Sequence, residues 1–250
     1  PILFLNKFAK LKRENSNAKI IAITGSVGKT SLKNMLYELL LRYGNTCCSP
    51  RSFNNHFGVP VSLSNLNLNH QFGVFEVGMS KAGEINKLSK LIKPDLGVIT
   101  NVAEAHIENF NNIEGIASAK SEIINNIKDG GKVILNRDDK FFNYLYKKAK
   151  RRNIKVITFG SSSKSDVRLI KIKTNKKIRE IILKVKDSIF EIKISNININ
   201  NVLAALAVLS ELNLDLQKTT QTFKNFQPSS GRGKMHKIKR YKKNYQELRF

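Results

Sequence analysis

Acidic residues are scarce in this chain: 19 Asp and Glu stand against 44 Lys and Arg in 250 residues, a formal charge of +25. Cysteine is scarcer still, and the two present, Cys47 and Cys48, are neighbours. Adjacent thiols are poorly placed to bridge one another and too few for zinc, which excludes a disulfide or zinc scaffold and leaves them as core or loop thiols. Long apolar runs are missing too. No window reaches the roughly 18 residues that would cross a bilayer, and the opening "PILFLNKFAKLKREN" has no small-residue cleavage site of a secretory signal. A cytoplasmic protein without a membrane span is therefore expected.

The basic excess raises the question of a polyanionic partner. It is spread along the chain, densest at "KKAKRR" (147–152) and "KIKRYKK" (237–243), and neither run has the aromatic interleaving of a base-stacking surface. Abundant Asn and Ile point instead to a compositional bias, so no nucleic acid is expected as a partner. The length and the 41% apolar content suit one large α/β domain or one domain with attached pieces.

Five β-branched runs alternate with helix-like stretches: "KIIAITG" (19–25), "FGVFEVG" (72–78), "DLGVITNV" (95–102), "GKVILN" (131–136) and "IKVITFG" (154–160). Unbroken apolarity suits strands covered on both faces, and intervening helices imply a mostly parallel sheet. After residue 165 the period changes to two. "IILKVKDSIFEIKI" (181–194) predicts an antiparallel hairpin on the sheet's flank. "NNVLAALAVLSEL" (200–212) predicts a helix and "SSGRGK" (229–234) a loop.

"IIAITGSVGKTSLKNMLYELL" (20–40) carries the first chemistry. A strand leads into a glycine loop, and Leu32, Met35, Leu36, Leu39, Leu40 and Tyr43 then recur at helical spacing, with Gly44 as a stop. The N–H groups of such a loop and helix start cradle phosphate, the lysine reaches the β and γ phosphates, and the next hydroxyl binds Mg²⁺. Gly25, Ser26, Val27, Gly28, Lys29, Thr30 and Ser31 make up that loop, in the short T-G-x-x-G-K-T form, because Ile23 stands where the longer pattern has glycine. ATP is the expected ligand.

Six further residues stand out on physical grounds. Glu76 is an acid at the end of an apolar strand, where ligand sites of open sheets gather, and it needs a metal or a salt-bridge partner. His106 follows "GVITNV" and could equally be structural. Lys120 shares a helical face with Ile113, Ile116, Ile123, Ile124 and Ile127, as a snorkelling lysine would. Asn54 and Asn55 could build a turn, and Asn201 could cap a helix.

Together with "SFNNHFGVP" (52–60), "FEVGMSKAGEI" (75–85), "TNVAEAHIENF" (100–110), "AKSEI" (119–123) and "LNRDD" (135–139), the loop resembles the Mur ligases of peptidoglycan synthesis over roughly residues 18–235. Within them it is most similar to the branch that joins D-Ala-D-Ala to UDP-N-acetylmuramoyl-tripeptide. The resemblance implies an ATP-dependent amide ligase working through an acyl phosphate, with two Mg²⁺ ions. It assigns the metal to Thr30, Glu76, His106 and an N-carboxylated Lys120, and catalysis to Lys29, Lys120 and His106. It places Asn54 and Asn55 at the substrate, Asn201 at adenine and Arg232 at the triphosphate. Ile197 stands where the family usually has histidine near the adenine.

The same resemblance implies three parts: residues 1–17 as a remnant of an N-terminal domain or linker, 18–228 as the central ATP-binding domain, and 229–250 as the start of a truncated C-terminal domain. A monomeric, incomplete ligase core is expected. The rival readings are another Mur or folylpolyglutamate-type ligase, and a basic P-loop ATPase that binds nucleic acid.

Overall fold

A computed structural model describes residues 1–104, 109–175, 178–195 and 197–226. A nine-stranded sheet runs through it in the order β2-β3-β1-β4-β5-β6-β7-β8-β9. Its parallel part holds β1 (Lys19–Thr24), β2 (Thr46–Cys48), β3 (Phe72–Glu76), β4 (Leu96–Ile99), β5 (Lys132–Asn136) and β6 (Lys155–Gly160). Strands β7 (Val167–Asn175), β8 (Ile178–Val185) and β9 (Ser188–Ile194) pair antiparallel with one another, and β7 joins β6 through two residue pairs.

Helices cover both faces, as the continuous apolar runs require. In β1, Ile21 and Ile23 point into one core with α2 (Lys29–Leu40) and α7 (Ile199–Glu211). Ile20 and Ala22 point into the other, with α3 (Gly58–Ser64), α4 (Glu84–Ile92), α5 (Ile113–Ser121) and α6 (Phe142–Arg151). Every residue of α7 from Asn201 to Ser210 is buried, which is why its sequence is apolar all round rather than on one stripe. A short α8 (Thr220–Asn225) completes the described elements.

The five predicted parallel strands and the three predicted helices are present, although the helix carrying Lys120 is α-helical only from Ile113 to Ser121 and tightens into a 3₁₀ turn over Glu122–Asn126. Two further readings change. The flanking hairpin is the outer part of a three-stranded unit, because β7 pairs with β8 along its length. Helix α2 stops at Leu40, and turns at Leu39 and Leu40 carry the chain on to Gly44. Residues 1–17 also contain a helix, α1 (Ile2–Glu14), whose Arg13 is only 3% exposed. Its guanidinium donates to Ile92 O at 2.7 Å, Lys93 O at 2.9 Å and Ser16 O at 3.2 Å, and so satisfies carbonyls at the end of α4.

Candidate active site

The parallel strands bring their carboxyl ends to one edge. The register sets Glu76 of β3 beside Ile23 of β1, and Thr24 beside Ile99 of β4. The glycine loop leaves β1 at this edge and enters α2.

Two glycines let that loop close. Gly25 has φ 148°, and a Cβ there would lie 1.9 Å from Thr100 Oγ1; Gly28 has φ 89° and would put a Cβ 2.7 Å from Asn201 Oδ1. No L side chain suits either backbone or either space. Thr100 Oγ1 donates to Val27 O at 2.6 Å, while Ser26 N and Val27 N donate to Asn101 O (3.0 Å) and Asn101 Oδ1 (2.9 Å). Ser26 Oγ exchanges hydrogen bonds with Ala103 N and O. The loop is thus held from behind by the segment after β4, and its Gly28–Lys29–Thr30–Ser31 end begins a helix. A helix opens with N–H groups that have no acceptor within it, an arrangement that receives phosphate.

Lys29 Nζ folds back to Gly25 O (2.7 Å) and Ser26 O (3.2 Å). Thr30 Oγ1 donates to Glu76 Oε2 at 2.7 Å, and Asn54 Nδ2 donates to Glu76 Oε1 at 2.7 Å. Glu76 is 1% exposed; these two donors fix its carboxylate, and Ser49 Oγ, accepting from Glu76 N at 3.2 Å, holds its backbone. Gly78 makes this reach possible: a Cβ there would lie 2.8 Å from the Asn54 side chain.

Lys120 lies at the C-terminal end of α5 and is 2% exposed. Burial, and then the charge of Lys29, lower its ammonium pKa from 10.5 to about 7. Lys29, Lys120, Asn54, Asn55 and Gly25 line one cavity of about 600 Å³, together with His56, Glu84 and Lys87.

The predicted residues therefore separate into groups. Gly25 and Lys29 of the loop line the cavity with Asn54 and Lys120, and the buried Glu76 joins them through its hydrogen bonds to Thr30 and Asn54. Asn55 lines it but also builds a turn, its Oδ1 accepting from Gly58 N at 2.9 Å. Asn201 does not cap its helix. Asn198 does, accepting from Asn200 N, while Asn201 Nδ2 reaches Gly28 O at 3.3 Å. His106 and Arg232 lie outside the described residues, as do the residues assigned to a third part, 229–250. Thr100 and Asn101, which brace the loop, were legible only as the first letters of "TNVAEAH". His56 and Lys87 gave no signal of their own.

A hard cation takes oxygen donors, and the Glu76 carboxylate beside the Thr30 hydroxyl supplies them at the start of the phosphate-binding helix. Those two fit Mg²⁺. An ammonium at Lys120 does not, whereas a carboxylated Lys120 has the right charge and atoms. Among the described residues no group of three His, Cys, Asp or Glu forms a metal cluster, and no helix is long and apolar enough to cross a membrane.

Comparison with known proteins agrees with this geometry. Residues 23–209 match the Mur ligase middle domain. The chain is 35% identical over 94% of its length to the UDP-N-acetylmuramoyl-tripeptide--D-alanyl-D-alanine ligase of Rickettsia prowazekii, covering 53% of that protein. It is similar to a solved structure from Acinetobacter baumannii, a UDP-N-acetylmuramoylalanyl-D-glutamyl-2,6-diaminopimelate--D-alanyl-D-alanyl ligase, with TM-score 0.84, 30% identity, and 92% and 51% of the two chains covered. For the MurF ligase of Thermotoga maritima in complex with ADP the values are 0.75, 29%, 86% and 50%. The chain spans about half the length of these relatives.

Proposed function

The chain belongs to the Mur ligase family, whose middle domain it contains, and from this we propose that it is the ATP-binding core of a cytoplasmic ligase that joins D-Ala-D-Ala to UDP-N-acetylmuramoyl-tripeptide. The observation that carries the reading is the meeting of Thr30, Glu76 and Asn54 at the start of a phosphate-binding helix, beside Lys29 and Lys120. The relatives' names supply the substrates.

The proposed reaction has two steps. A terminal carboxylate oxygen of the peptide attacks the γ-phosphorus of ATP, the bond to the β-phosphate oxygen breaks, and ADP leaves an acyl phosphate. The amine of D-Ala-D-Ala then attacks the acyl carbon, a C–N bond forms, inorganic phosphate departs and the amine loses its proton. The loop holds the triphosphate, with Asn201 behind it on the adenine side. Lys29 turns from its two carbonyls to neutralise the transferred phosphoryl group. Bound Mg²⁺ would screen the charge that builds on the phosphoryl oxygens, with Glu76 and Thr30 holding one ion.

Lys120, with His106, is proposed to hold a second ion after carboxylation. Its neutral amine attacks CO₂, an N–C bond forms and a proton is released, turning a cation into a carboxylate. A depressed ammonium pKa favours that step, since only the neutral amine is a nucleophile. Asn54 and Asn55 face the acceptor, and Arg232 approaches the triphosphate.

Calorimetry with Mg²⁺-ATP on the unaltered chain and on Lys29→Ala tests the nucleotide assignment: the variant should bind at least about tenfold more weakly, and equal affinity removes it. Mass spectrometry of mixtures containing ATP, Mg²⁺, D-Ala-D-Ala and the UDP-linked tripeptide, run with the full-length protein, tests the reaction. Absence of pentapeptide product with all substrates present overturns it.

A further inference from the structure

A second cavity of about 430 Å³ lies beside the first, between α1 and α4. His56, Lys87 and Leu88 line both, so the two share a wall. Beyond that wall the second cavity is lined by Lys10, Lys90 and Lys93, and among the described residues no carboxylate lines it. Glu14 reaches Lys10 at 3.8 Å and Lys93 at 3.6 Å from outside. Lys87 and Lys90, three apart on the outer face of α4, have no acidic partner among the described residues.

Like charges at that spacing repel and weaken a helix. In a concavity they also focus a positive potential, which concentrates anions there. The reacting end of the proposed acceptor is a single carboxylate, yet the cations continue past the cavity that would hold it. The first cavity does have an acid, Glu84, but its Oε2 accepts from Ser80 N (2.6 Å) and Lys81 N (3.1 Å).

We propose that the second cavity is an anion subsite of the same cleft, in which Lys87 and Lys90 hold a second oxyanion of the acceptor while its terminal carboxylate lies near Lys29. This rests on the ligase reading for the identity of the acceptor. The oxyanion is a carboxylate of the peptide or a phosphate of the nucleotide; one relative's substrate, an alanyl-D-glutamyl-2,6-diaminopimelate on a UDP sugar, carries both. Lys87 and Lys90 are thus specificity-determining residues.

The test compares Lys87→Ala/Lys90→Ala with Lys171→Ala/Lys173→Ala, which removes the same charge from exposed positions on β7. With the full-length protein and its glycine loop filled by Mg²⁺ and a non-hydrolysable ATP analogue, calorimetry measures binding of the UDP-linked tripeptide, the free tripeptide, UDP-N-acetylglucosamine, which has the diphosphate but no carboxylate, and inorganic pyrophosphate. The cavity variant should bind the whole acceptor about tenfold more weakly and leave analogue affinity unchanged. If the loss recurs with free tripeptide, the oxyanion is a carboxylate; if it recurs with UDP-N-acetylglucosamine, it is a phosphate. A loss no larger than that of the control overturns the proposal. Should the unaltered protein bind no acceptor, the ligase reading fails, and pyrophosphate still decides the subsite: weaker binding by the cavity variant alone supports an anion site, and equal binding overturns it.

Discussion

Thr30 and Glu76 are 46 residues apart in the chain, and the hydroxyl of one donates to the carboxylate of the other at 2.7 Å. One opens a helix and the other closes a strand, so this contact joins the loop that receives phosphate to the acid that can hold its metal. Glu76→Gln keeps the volume but sets an amide N–H₂ against a donor, either Thr30 or Asn54. Mg²⁺-ATP affinity should fall about 10- to 100-fold, and the nucleotide-free protein should lose about 1–3 kcal/mol from the mispaired donor. Calorimetry and urea unfolding read the two separately. Unchanged affinity removes Glu76 from the metal site.

Lys120 predicts a pH dependence. Its pKa is 10.5 unfolded and about 7 folded. Between pH 7 and 10.5 the unfolded chain holds a proton that the folded protein has released, so stability rises with pH across this window. Below pH 7 both states are protonated and the full cost of the buried ammonium is felt. Lys120→Met should therefore stabilise the protein most at pH 6, by up to about 5 kcal/mol at ~1.4 kcal/mol per unit, with a gain that shrinks toward pH 10. Denaturation in CO₂-free buffer at several pH values checks this; a gain independent of pH contradicts it.

Bicarbonate should reverse that ranking. With Mg²⁺ and ¹³C-bicarbonate, the unaltered protein should show a carbamate resonance that Lys120→Met lacks, together with a higher melting temperature, because a ligand that binds only the folded state stabilises it. An unaltered spectrum shows that Lys120 stays an amine.

At Gly25 two obstacles to a side chain coincide: φ of 148° and a Thr100 hydroxyl 1.9 Å from any Cβ. Gly25→Ala should cost about 3 kcal/mol and abolish nucleotide binding. Adding Thr100→Ala removes the hydroxyl but leaves the backbone strain, so part of the stability should return while binding stays absent. Full recovery of both would show that the clash alone mattered.

Arg13 provides a contrast far from the chemistry. Arg13→Met leaves Ile92 O, Lys93 O and Ser16 O without this donor, and Asp95 without a cation at 3.7 Å. Unfolding should become easier by about 3 kcal/mol, with Mg²⁺-ATP affinity unchanged.

Elements whose pattern follows from burial were legible in the sequence. β1 and β3–β6 are apolar on both faces, and α2 and α7 are periodic or wholly apolar. β2 was not, because three residues, "TCC", carry no period. β7 lies within the stretch whose period of two begins after residue 165, but its alternate Lys171 and Lys173 gave it no assigned partner, and its place in the sheet comes from pairing with β8. At the site, the loop residues declare themselves through glycine spacing, and Glu76 through being an acid in an apolar strand. Asn54 does not, because its role depends on Gly78 letting it lie against the backbone. Arg13 was equally silent: a lysine-rich helix offers no hint that one guanidinium turns inward.

The two-pair seam between β6 and β7 has a consequence for synthesis. Strands β7 to β9 leave the ribosome before residues 199–225, yet the apolar side of that unit, Ile181, Leu183, Ile192 and Ile194, has no cover until α7 is laid across β7 and β8 and α8 across β9. A three-stranded ribbon attached by two pairs gains little from the sheet it extends. During translation it must wait, half-hydrophobic, for a helix encoded after it, and α7 splints the seam when it arrives. Cover for β7 and β8 and the Asn201 side chain that rests on Gly28 thus come with the same helix, so the phosphate loop acquires its last support at the moment the seam is fastened, and α8 then closes over β9.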